Sequence, residues 1–275
     1  MSRFSRIGVC ALLAGGLLIF PGLVFATELQ IIYTNDQPAG GFAVSPLWAG
    51  IQDGTYQTFS PGSTASLAVE NVAELANTST ITSAFTGNGP QTTIGGAPIG
   101  PGSSATATIN VTDPSSTRYL DFLSMVVPSN DFFIGNSNPA ALPLFDGSGN
   151  FTGTQTIQIY GSGAYDAGTE VDNINYGAAF IVGDNITDHI AANGTIQPIF
   201  GGSTDFSSYL SSIDGKATPY GYSISHVISS GDLIATIQVT AVPEPSSFVL
   251  LGVGVLLAVG VAAIRARRSA TACLK

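Results

Sequence analysis

Residues 104–111 read SATATINV, with small or apolar side chains alternating with hydroxyl and amide ones. A period of two sends one set of side chains to a buried face and the other into water, the pattern of a half-buried β-strand. TQTIQIY, residues 154–160, repeats it. Working outward, Leu29–Tyr33, Ala178–Val182, Ile196–Phe200 and Leu233–Val239 also read as strands. Between them lie GPGSS (100–104), DGSGN (146–150) and GGST (201–204), whose Gly, Pro, Asp, Asn and Ser residues favour turns. Two stretches break the pattern. SLAVENVAELA, residues 66–76, puts Leu67, Val72 and Leu75 at roughly helical spacing with Glu70 and Glu74 four apart, and Asp205–Ile213 reads as a short turn of helix. The expectation is an all-β chain, an antiparallel β-sandwich with one or two short helices.

The two ends differ from the middle. Residues 1–26 carry Arg3 and Arg6, an apolar run from Ile7, and Val24-Phe25-Ala26 at a small-residue cleavage site, and so read as a signal peptide. Residues 248–264 form a second apolar run, at the short end of what spans a bilayer. Arg265, Arg267 and Arg268 follow, which predicts a transmembrane helix with the basic tail, residues 265–275, on the cytoplasmic side. Between these ends, residues 27–241 read as one domain. It holds only Arg118 and Lys216 against 17 acidic residues, a formal charge of −15. Such a surface repels nucleic acid and attracts cations. Cys10 and Cys273 both lie outside this domain, so no disulfide supports it.

AYDAGTEVDN, residues 164–173, crowds Asp166, Glu170 and Asp172 together with no cation beside them. A bound metal would explain this, and so would a solvated loop; from the residues alone the two stand level. The spacing fails the calcium-loop pattern D-x-[DN]-x-[DN]-G. DGSGN has a superficial likeness to that pattern but lacks its later glutamate, and reads as a hairpin turn.

Four stretches carry a family resemblance: PLWAGIQDG (46–54), ELANTS (74–79), SMVVPSNDFFIGNSNP (124–139) and the DAGTE of residues 166–170. In order and spacing they resemble the spondin N-terminal domain, in particular its bacterial versions, over roughly Leu29 to Thr240. The resemblance implies an eight-stranded antiparallel β-sandwich with C2-like character that binds Ca2+ at one end. It places the metal ligands at Asp131, Asp166 and Glu170, with Asn130, Asp172 and Asn173 near enough to add oxygens. Animal members carry a tryptophan beside the first acid, where this chain has Phe132 and Phe133, and they carry disulfides that this domain lacks. Residues 242–247 precede the apolar run, and with Pro243, Glu244 and Pro245 the C-terminus resembles the PEP-CTERM sorting signal. That resemblance implies exosortase as a processing partner, transient anchoring in the inner membrane, and release to the outer envelope or extracellular matrix.

Enzyme signatures are missing. There is no G-x-S-x-G, H-E-x-x-H or phosphate-cradling loop. His189 and His226 each read as ordinary exposed or structural residues. The expectation is a calcium-binding adhesive or structural protein and not an enzyme. A carbohydrate-binding module, or a glycan-acting hydrolase using paired carboxylates, is the alternative on the same acidic loops. An exopolysaccharide, a surface protein and a second copy of the chain remain open as partners.

Overall fold

The computed structural model describes residues 26–243. Its first sheet is built from β1 (Thr27–Asn35), β5 (Ser104–Val111), β8 (Gln155–Tyr160) and β11 (Leu233–Ala241). These run in the order β5-β1-β11-β8, antiparallel throughout. The period-two pattern does here what it predicts. Ile31 lies opposite both Val239 and Ala107, and Leu29, Ile31 and Tyr33 turn together into the core.

The second sheet has seven strands: β2 (Ala43–Val44), β3 (Leu47–Gln52), β4 (Gln91–Ile94), β6 (Tyr119–Val127), β7 (Phe132–Gly135), β9 (Ala164–Asp166) and β10 (Gln197–Pro198). The order is β10-β9-β7-β6-β3-β4, with β2 also on β6. Its central strands are buried on both faces. Leu47, Ala49, Ile51, Phe122, Phe132 and Ile134 join the core shared with the first sheet. Trp48, Leu123 and Phe133 point the other way, under the helix α1 (Leu67–Leu75). Tyr33 ties the two sheets by donating its hydroxyl to Ser124 Oγ at 3.1 Å.

The eight-stranded, C2-like expectation is corrected to eleven strands in two open sheets, with three short α-helices. Double-sided burial removes alternation, so β3, β6 and β7 carry no period-two signal. β2 and β10 are two residues each, too short to show any period. Ala178–Val182 is not a strand. Ala179 makes one isolated bridge to Ser129, and Phe180 sits at φ 67°.

Helix α1 forms where expected, capped by Ser66 Oγ, which accepts from Val69 N at 3.3 Å. It ends at Ala76 in the left-handed region, φ 54°. Its buried face is Ala68, Val69, Val72 and Ala73, whereas Leu67 and Leu75 are exposed. Glu74, which the spacing places on the surface, is buried. The other helices are α2 (Ser79–Ala84) and α3 (Ser207–Ile213).

Candidate metal centre

Strand pairing brings the two acidic segments together. Asp131 immediately precedes β7, Asp166 closes β9, and these strands pair with Phe132 opposite Asp166. Gly168 then turns the chain at φ 68°, and a side chain there would meet the backbone of Thr195. Past the turn, Thr169 N (2.8 Å), Thr169 Oγ1 (3.0 Å) and Glu170 N (3.0 Å) all donate to Asp131 Oδ2. The loop is held from outside as well, by Val171 N on the Ile190 carbonyl and the Glu170–Ala191 bridge. It returns Asp172 to the same place. Asp131, Asp166 and Asp172 each present an oxygen, and these lie within 4.8 Å of one another.

Asp131 Oδ1, Asp166 Oδ1 and Asp172 Oδ1 are all buried without a hydrogen-bond partner. No cation of the protein offsets them. Among the described residues the ion pairs are His189–Glu74 and His226–Asp232, and neither touches the trio. The carboxyl of Asp166 is therefore held well above the ordinary carboxylate range, by burial first and by the charge of Asp131 second. Burial, then Asp131, pushes Asp172 up to about 7. An arrangement that disfavours its own charges in this way suits a divalent cation, which would supply the missing positive charge.

The other two expected ligands face elsewhere. Asn130 is spent on the scaffold: its Oδ1 accepts from Tyr209 Oη at 2.7 Å and from Asn173 N at 3.1 Å, and its Nδ2 donates to the Tyr176 carbonyl at 3.0 Å. Its backbone N–H donates back to Tyr209 Oη at 2.8 Å. The Glu170 side chain turns toward Gly177, where a Cβ would collide with Glu170 Oε1 and the Asp188 carbonyl. Burial, then Glu74 and Asp131 among nearby acids, raises Glu170 to about 8. Phe132 and Phe133 are core. Phe132 meets Phe206 and Tyr209 edge-on, and Phe133 meets Phe59 edge-on and stacks on Tyr165. A shallow cleft lined by Asp172, Asn173, Thr204, Asp205 and Ser208 opens beside the trio. Tyr209, on α3, had no sequence signal, because its contact with Asn130 spans 79 residues.

The Spondin_N family model matches residues 29–181, more than half of the chain. The chain belongs to the spondin N family. No curated protein matches it. Spondin N domains are structural and adhesive modules, and this one is not an enzyme. The matched region stops short of the complete fold of this spondin N domain: β11, which lies between β1 and β8, comes from residues 233–241.

The sorting signal gains no such support. The family match ends at residue 181, and among the described residues no helix is long and apolar enough to cross a membrane. The expected membrane helix at 248–264, the basic tail, Glu244, Pro245 and residues 1–25 of the signal peptide lie outside the described residues. Where the structure does describe the start of the expected linker, it is not free. β11 runs through Ala241, and Val242 N donates to the Glu28 carbonyl at 2.8 Å, which stitches the residue before Pro243 to β1. The expectations of exosortase processing, transient membrane anchoring and delivery to the envelope are set aside accordingly. The partners expected with them, an exopolysaccharide, a surface protein or a second copy, are likewise unsupported.

Proposed function

We propose that the chain is a structural or adhesive extracellular module whose loop end binds Ca2+ through Asp131, Asp166 and Asp172. The observation that carries this reading is the three buried carboxylate oxygens, one from each residue, that lack partners where the carboxylates lie within 4.8 Å of one another. Ca2+ takes oxygen ligands at about 2.3–2.6 Å, so oxygens this close can share one ion. The donor set is all oxygen, which suits a hard cation. Asn130 and Glu170 act in this reading by positioning the loops, and water from the cleft beside Asp172 completes the coordination. The module spans residues 27–241, since β1 and β11 pair from end to end.

The test is calorimetric titration of the chelator-stripped protein with Ca2+. One ion per chain is expected, and Asp172→Asn, at the least buried of the three acids, should abolish that binding while the protein stays folded. Failure of the wild type to take up Ca2+, or unchanged binding in the variant, overturns the assignment.

A further inference from the structure

Glu74 and His189 lie outside the trio and come from distant parts of the chain. Glu74 is on α1 and only 6% exposed. Its Oε1 is buried with no hydrogen-bond partner. Its Oε2 stands 3.5 Å from His189 Nδ1. That gap exceeds the about 2.7–2.9 Å of a charge-assisted N–H···O bond. It approaches the separation of about 2.9–3.4 Å between two ligands of one metal whose bonds are about 2.0–2.1 Å long. The His189 side chain is 45% exposed, so the pair is open to solvent on one side. A second buried carboxylate oxygen without a partner, Glu170 Oε1, faces the Asp188 carbonyl, next in sequence to His189. Two unsatisfied glutamates thus flank one dipeptide, with no lysine or arginine paired to either among the described residues.

We infer that Glu74 and His189 are the protein ligands of a second divalent cation site, one that takes a first-row metal of the zinc type. The donors decide the class: an imidazole nitrogen beside a carboxylate suits Zn2+ and poorly suits Ca2+, which takes oxygen. Among the described residues the Asp131 trio is the one compact group of three metal-ligating side chains. The remaining positions at Glu74–His189 therefore fall to water, and Glu170 adds negative charge nearby. An ion there ties α1 to residues 188–192, which are bonded in turn to Thr169 and Val171 through Ala192 N and the Ile190 carbonyl.

The experiment titrates Zn2+ into the Ca2+-saturated full chain with its two cysteines alkylated. Calorimetry is followed by Co2+ substitution to read nitrogen ligation from the visible spectrum. His189→Ala, at a half-exposed position, should weaken Zn2+ binding by more than about tenfold and leave Ca2+ uptake unchanged. Glu74→Gln should do the same. Asp172→Asn should remove Ca2+ and spare Zn2+. The inference is overturned if the wild type binds no Zn2+ or if His189→Ala binds it as tightly as the wild type. It is also overturned if Asp172→Asn abolishes Zn2+ binding, which would place zinc in the trio. Loss of the Ca2+ site alone leaves the zinc result readable, because the two sites share no ligand.

Discussion

Replacing Asp166 by asparagine should change stability in opposite directions with and without calcium. Without the ion, burial and Asp131 hold the Asp166 carboxyl far above its ordinary value of 3.8. The unfolded chain releases that proton near pH 4 and the folded one keeps it, so the wild type loses stability as pH rises from there. At pH 7 the group has crossed about three units, a ceiling of ~4 kcal/mol at 1.36 kcal/mol per unit. Asparagine imitates the protonated acid and can still accept from Gly168 N, so the variant escapes this cost. A domain of this size gains about 2–4 °C in Tm per kcal/mol. Realising half the ceiling would therefore raise the chelated variant by roughly 4–8 °C over the chelated wild type. At pH 5 the gap should shrink to about a third, because only about one unit has been crossed. Calcium at a hundred times its Kd should stabilise the wild type by about 2.7 kcal/mol and the variant hardly at all. Thermal melts by circular dichroism at pH 5 and 7, in chelator and in excess Ca2+, read all four states. The reasoning fails if the chelated variant melts at or below the chelated wild type, or if Ca2+ raises both equally.

Two other perturbations probe the frame around the site. Asp121 accepts from Phe122 N at 2.8 Å and Gln52 Nε2 at 3.0 Å, and also from the Thr58 hydroxyl; burial still pushes it up to about 7. A raised carboxyl destabilises the fold as pH climbs from about 4 to 7, so in Ca2+-saturated protein Asp121→Asn should flatten the pH–stability profile by at most ~4 kcal/mol. Parallel profiles for variant and wild type would refute this. Tyr209→Phe strips one donor from Asn130 Oδ1 and the only acceptor given for Asn130 N. Denaturant melts should show a loss of about 1–3 kcal/mol, together with weaker Ca2+ binding, because Asn130 adjoins Asp131. Unchanged values of both would show that Asn130 is held by other means.

Legibility along the chain follows burial. β1, β5, β8 and β11 lie in the first sheet, and wherever one face is buried and the other wet, the alternation can be read directly. β6 is buried from Leu120 to Val127, so its residues look like any apolar run. Helix α1 was placed correctly, but its inward face was not. Leu67 and Leu75 suggested a hydrophobic stripe, yet the second sheet accepts Val69, Val72 and Ala73, and takes Glu74 with them. In the candidate site, Asp131 and Asp166 were recognisable from their segments. The separation of Glu170 from Asp172 was not, because both follow the same turn and only the return of the loop sends one into the trio and the other away from it.

Composition and pattern alone determined that this is a β protein, strongly acidic, without disulfide support, and without the motifs of an enzyme. These properties are local or additive: each residue contributes its charge, its period or its absence without reference to distant neighbours. The tertiary structure decided which acids meet. Pairing of β7 with β9 sets Asp131 beside Asp166 across 35 residues, and α1 carries Glu74 to His189 across 115. Hydrogen-bond register and helix docking depend on the whole core at once, so no window of sequence records them.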